Sequence, residues 1–211
     1  PMFGMNDPAQ TLMQLENYIR DGRLEMSEVM ATQFTNMFLQ NKKRGAEEQI
    51  MLVRGLQILC DVLVTRNKYP LAVSASKTLL RERRKSPEEN DVTGLFYQDL
   101  QRSGKCHALA NKPRKAKSYF IKAFKKSNGC IACALEGITL MPNDSKLASL
   151  FMQALTNAGP VTKSGQTFIF QPDKLPAVNV MEAITALDLA IYQNNPAAEQ
   201  LKKRYSNQIG A

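Results

Sequence analysis

The chain has 211 residues, 44% of them hydrophobic, and 28 Lys and Arg against 19 Asp and Glu give it a formal charge of +9. That hydrophobic share supports a folded core and excludes a disordered chain, while the charge favours polyanions or acidic protein surfaces as partners. No apolar run approaches the roughly 18 residues of a membrane span, and no charged segment leads into an apolar one near the N-terminus.

Met2 reads as the natural start, with Pro1 outside it. Four cysteines in a chain of this length do not make a disulfide framework, so a reducing, cytoplasmic setting is expected. Tryptophan is absent, which leaves Leu, Ile, Ala and Met to fill the core.

Asp7-Pro8 predicts the first helix start, an Asp cap followed by Pro at the first helical position. Leu12, Leu15, Tyr18 and Ile19 form its apolar stripe, and Asp21-Gly22 ends it. Leu24–Gln40 is the second helix, with Val29, Met30, Phe34, Met37 and Phe38 on its buried side. The short connection makes the pair antiparallel. Helices are then expected over Ala46–Thr65, Tyr69–Arg84, Val92–Leu109, Pro113–Lys126, Ile131–Leu140 and Lys146–Asn157. Turns at Asn67-Lys68, Ser86-Pro87, Asn111-Lys112, Asn128-Gly129 and residues 141–144 separate them. Within Ala158–Pro172, the alternation Thr167-Phe168-Ile169-Phe170 and the turn signal Ser164-Gly165 predict a short β-hairpin or a docked loop. A helix over Pro176–Tyr192 and a last one from Pro196 to about Ser206 complete the chain.

Two segments repeat one pattern: Arg66-Asn67-Lys68-Tyr69-Pro70-Leu71-Ala72 and Ala110-Asn111-Lys112-Pro113-Arg114-Lys115-Ala116. Each is a helix end, an Asn-Lys turn and a helix with Ala four residues after Lys, as in a solenoid of helical hairpins. Over about residues 49–128 the chain resembles the tetratricopeptide repeat. Gly104, Ala116, Phe120 and Ala123 fall at that family's small, small, aromatic and small positions. The other copy offers Leu56, Leu59, Cys60, Leu63 and Ala72, with Ser76 where an aromatic belongs. The copies lie 44 residues apart (Lys68 to Lys112) rather than about 34, so Arg84–Asp91 reads as an insertion. The resemblance implies a scaffold or adaptor that holds a peptide or partner helix in a groove. Asp61 and Lys105 stand where a chaperone-tail clamp would place asparagine, so that subclass is not expected.

The expected fold class is therefore all-α, an α-solenoid-like, TPR-like stack of antiparallel hairpins with one short β-hairpin or docked loop near 160–171. Its organisation reads as an N-terminal hairpin (1–45), a repeat region (46–158) and a loop or short hairpin with C-terminal helices (159–211), in one continuous domain.

Candidate chemistry is sparse. Cys106, His107, Cys130 and Cys133 supply the thiolate and imidazole types of a zinc site, or a redox pair at Cys130-Ile131-Ala132-Cys133. Adjacent Cys106 and His107 rarely serve one metal, so packing as small core residues is the leading reading. His107, the one histidine, has no nucleophile constellation around it. No phosphate-cradling glycine motif occurs: residues 159–164 end in Lys-Ser but lack the glycine before Lys. No catalytic group and no cofactor is expected.

Basic clusters carry the functional expectation, namely Lys42-Lys43-Arg44, Arg81–Lys85, residues 112–126 and Lys202-Lys203-Arg204. Helix-end electrostatics account for several of them. The partner-binding candidates are Arg102, Lys105, Lys112, Arg114, Lys115 and Lys122. They would steer an acidic peptide or helix of another protein towards a groove in a non-enzymatic adaptor. The alternative is an RNA-binding helical repeat using the same cations on phosphates, although interleaved aromatics are few. Met30, Met37 and Phe38 make the N-terminal hairpin either plain core or a self-association face.

Overall fold

The computed structural model describes residues 7–85, 96–170 and 175–210. They belong to two compact units, residues 1–111 and 112–211. The chain is mostly helical, with one small sheet. The expected break at Ser86-Pro87 and the expected helix start at Val92 lie outside the described residues.

Local chemistry sets the boundaries in the first unit. Helix α1 (Pro8–Arg20) opens on Asp7, whose Oδ1 accepts from the Ala9 N–H at 3.0 Å, with Pro8 in the first turn where a missing N–H costs nothing. It closes at Gly22, which adopts φ +76°, while the Arg23 N–H donates to the Tyr18 carbonyl at 2.9 Å. Helices α2 (Leu24–Gln40), α3 (Ala46–Thr65), α4 (Tyr69–Lys85) and α5 (Phe96–Leu109) follow. The Asn-Lys turns close α3 and α5 with Asn67 and Asn111 at φ 60° and 59°. Asparagine tolerates this left-handed conformation better than other side chains do, and it frees the helix-end carbonyls to be capped. After α3 the Lys68 N–H donates to Leu63 O at 2.8 Å and the Asn67 N–H to Val64 O at 3.0 Å.

Helix α3 lies at the centre of this unit and packs on α2 and α4, with further contacts to α1 and α5. It is apolar on more than one face for that reason: Leu52, Val53, Leu56, Ile58, Leu59, Cys60, Val62 and Leu63 are all buried. Gly55 permits the close crossing with α2, since a Cβ there would lie 2.7 Å from Phe34 Cδ1. Val29, expected on the buried side of α2, is instead exposed beside Met26. Ser27 takes an inward position nearby, because its hydroxyl donates back to the Arg23 carbonyl at 2.7 Å and so enters the core satisfied.

The second unit begins with α6 (Pro113–Lys126), α7 (Ile131–Leu140) and α8 (Ser145–Thr156). Phe120 of α6 packs against Gly137 of α7, whose absent side chain leaves room for the ring, and Leu147 of α8 lies alongside. The expected hairpin is present as β1 (Val161–Ser164) and β2 (Thr167–Phe170), antiparallel in the register Val161 to Phe170 and Ser164 to Thr167. Gly165 supplies the positive φ of the turn. A third strand, β3 (Val178–Asn179), pairs with β2.

The helix expected over Pro176–Tyr192 is corrected accordingly. Asn179 ends the strand and caps α9 (Val180–Ala186), its Oδ1 accepting from Met181 N–H at 2.8 Å. A 3-10 turn at Ala190–Tyr192 precedes α10 (Pro196–Ile209). Pro176 satisfies the rule for a helix start, but the asparagine cap and the strand pairing move the start to Val180. Phe170 packs edge-on against Tyr205, and the Tyr192 hydroxyl donates to the Ala148 carbonyl at 2.7 Å, joining sheet, α8 and α10 in one core. No helix among the described residues is long and apolar enough to cross a membrane.

Candidate binding face on helix α6

The positive charge is concentrated in one unit. Residues 1–111 carry 15 Lys and Arg against 13 Asp and Glu, while residues 112–211 carry 13 against six. Seven of those 13 cations fall within residues 112–126, a stretch with no acidic residue. Helix α6 is correspondingly two-faced. Ala116, Phe120, Ala123 and Phe124 are buried, whereas Lys112, Arg114, Lys115, Lys122, Lys125 and Lys126 are exposed. Lys115, Lys122 and Lys126 recur at i, i+7 and i+11, so they form one stripe along a helix about 21 Å long. Lys117, at the margin, pairs with Asp144 at 3.3 Å, and the Lys122 ammonium lies 5.6 Å from the Tyr119 ring centroid.

The helix dipole favours Lys125 and Lys126 in the last turn and opposes cations in the first. Lys112, Arg114 and Lys115 nonetheless sit at the N-terminal end, with no acidic residue in the first turn and no side-chain cap. A like-charged cluster at the positive end of a helix costs stability, and a bound anion would remove that cost. At the other end of α6, a cavity of about 420 Å³ lies between Phe124, Lys125, Asn128, Ile131, Gln153 and Leu175. It combines apolar walls with an ammonium and the three amides of Asn128, Gln153 and Asn157.

The sequence-derived candidates divide between the units. Lys112, Arg114, Lys115 and Lys122 belong to the α6 face, while Arg102 and Lys105 belong to α5. Arg102 is engaged internally: its guanidinium bonds Asp61 at 2.8 Å and Asp99 at 2.7 Å. Asp99 is fully buried and also receives Arg83 at 2.7 Å and the Gln57 amide at 3.0 Å. Burial pushes its carboxyl up from the ordinary aspartate range, against the pull of both guanidiniums and the amide. A second network joins Arg44 and Glu82 at 2.8 Å, with Lys85 on the same carboxylate and Gln49 donating to the Glu82 carbonyl. Sequence reasoning assigned Arg83 and Lys85 to a helix end and missed both networks. The available signal was an acidic residue on a buried stripe, Asp99 beside Leu100, Ser103 and Cys106.

The cysteines and histidine form no metal cage. Among the described residues no group of three or more His, Cys, Asp and Glu side chains is arranged to hold a metal ion. In the first unit Cys106 lies against Cys60, and the Cys60 thiol is pushed well up by its hydrogen bond to Cys106 and by burial. His107 is buried with Nδ1 2.7 Å from the Ser103 carbonyl of its own helix. In the second unit Cys130 and Cys133 are paired at the start of α7. Met30 and Phe38 are core, Met37 packs against it, and the exposed apolar side chains of the N-terminal hairpin are Met13, Met26 and Val29.

Comparison of the chain with protein-family models, with curated proteins and with solved structures gave no match.

Proposed function

We propose that this chain is a non-enzymatic binding module, a helical-hairpin scaffold of the tetratricopeptide kind, that takes an acidic segment of a protein partner on the exposed face of α6. The observation that carries this reading is the cation cluster Lys112, Arg114 and Lys115 at the positive end of α6, where the first turn holds no acidic residue and no side-chain cap. The stripe continuing through Lys122 to Lys126 would steer an acidic partner, and the cavity beside Phe124 and Lys125 would accept one apolar side chain of it. Burial of the one histidine within α5 supports binding rather than catalysis. The four unbridged thiols suit a reducing, cytoplasmic setting.

The test is a titration of the full chain with three probes: a Glu-rich peptide, the same peptide with one central Leu, and a single-stranded homopolymer RNA. The reading expects both peptides to bind, the Leu-bearing one more tightly, and Lys115→Glu with Lys122→Glu to abolish both. Binding of RNA alone, with a steep fall in affinity as salt rises, would replace the protein partner by nucleic acid. The exposed Met13, Met26 and Val29 favour self-association of the N-terminal hairpin as an additional property, which light scattering over a concentration series checks.

A further inference from the structure

Most helices of this chain with a side-chain cap use an oxygen. Asp7, Asp144, Asn179 and Asn195 each accept a backbone N–H of the first turn. Helix α7 is the exception. Its cap is Cys130, whose sulfur accepts from the Cys133 N–H at 3.4 Å, while its own N–H donates to the Ser127 hydroxyl at 3.1 Å. Sulfur is a weak acceptor, so capping alone does not account for cysteine here. The placement also puts a second thiol, Cys133, in hydrogen-bond contact with the first.

We infer that Cys130 and Cys133 are a redox-active dithiol that a hydroperoxide converts to an intramolecular disulfide. Positions three apart at a helix start place both sulfurs on one side, and the two thiols are already in hydrogen-bond contact. Cys130 is the attacking group. The Cys133 thiol and the N–H groups of Ala132 and Cys133 lower its pKa against the effect of burial, whereas the same contact and burial push Cys133 up. The Cys130 thiolate attacks one peroxide oxygen. The S–O bond forms, the O–O bond breaks, and the departing oxygen takes a proton to leave as alcohol or water. Cys130 is then a sulfenic acid, oxidised by two electrons. The Cys133 sulfur attacks it, the S–S bond forms, and the hydroxyl leaves as water with the Cys133 proton.

Both residues are fully buried, which excludes a bulky protein disulfide as oxidant and leaves a small one. The flanking Gly129 and Ile131 line the 420 Å³ cavity, which brings small solutes to within one residue of Cys130.

The experiment treats the folded full chain with hydrogen peroxide, alkylates the remaining thiols and reads tryptic peptides by mass spectrometry. Residues 127–146 form one peptide that holds both cysteines. The expected result is complete loss of both alkylation sites in that peptide, which becomes lighter by two hydrogens. In Cys133→Ser the reaction should stop at a dimedone-reactive sulfenic acid on Cys130. In Cys130→Ser, which keeps a good helix cap, Cys133 should remain an unmodified thiol. The inference is overturned if the wild-type peptide stays a dithiol, if Cys133 carries the sulfenic acid, or if oxidation requires prior unfolding in urea.

Discussion

Asp99 is the residue on which α3, α4 and α5 converge. Gln57, Arg83 and Arg102 reach it from the three helices, and its side chain has no exposure. The desolvation of one carboxylate and two guanidiniums is offset only while all partners are present. Asp99→Ala would take its carboxylate away from Arg83, whose side chain is only 6% exposed. We expect it to destabilise the chain by about 3–5 kcal/mol, read as a lower urea midpoint at unchanged slope. A loss below about 1 kcal/mol would mean that water or a rotamer change rescues Arg83, and the network would not be structural. Asp99→Asn retains an acceptor for the guanidiniums and should cost less. The salt bridge of Arg54 with Glu16 is the useful contrast: both side chains are about two-fifths exposed, and such pairs contribute little.

At the scale of the element, α6 shows how one helix can be ordinary on one face and costly on the other. Ala116, Phe120, Ala123 and Phe124 recur at helical spacing and account for its place in the core. Nothing in that packing calls for Lys112 at the cap or Arg114 and Lys115 in the first turn. Lys115→Glu places an acid where the dipole favours one, and we expect it to stabilise the free chain by about 0.3–1 kcal/mol while weakening the acidic ligand. Thermal unfolding with and without the Glu-rich peptide separates the two effects. A variant that is both less stable and still able to bind would show that Lys115 serves the fold. The turns carry a different lesson. Asn67, Asn111 and Asn128 all adopt positive φ at helix ends, so the Asn-bearing turn motif is read reliably because its cause is local. The start of α9 is misread because Pro176 meets the helix-start rule equally well, and the pairing of Val178 with Phe170 together with the Asn179 cap excludes it.

Over the whole molecule, two cores exist, one around α3 and one around α8, each with its own fully buried aromatics: Phe34 in the first, Phe120, Phe151 and Tyr205 in the second. Each core should protect its own backbone. Hydrogen exchange on the intact chain is expected to find slow amides in both α3 and α8. Protection confined to one of them would mean that the other unit lacks an independent core. The net charge divides very differently from the chain length. Residues 112–211 hold most of the excess, although the two units are of similar length.

The sequence by itself determined the helical class and nearly every helix boundary, and narrowed residues 160–171 to a short β-hairpin or a docked loop, because caps, turn asparagines and hydrophobic period are local causes acting within a few residues. It also concentrated cations in residues 112–126. Only the tertiary structure decided which cations are spent internally. Arg83, Arg102 and Arg44 meet acids 16, 41 and 38 residues away, and no periodicity encodes such pairings. It likewise decided that Val29 faces outward and that Cys106 faces Cys60. The physical reason is the same in each case: burial, and with it the strength of an ion pair or the reactivity of a thiol, is a property of helices brought together in space, and the chain encodes it only through their packing.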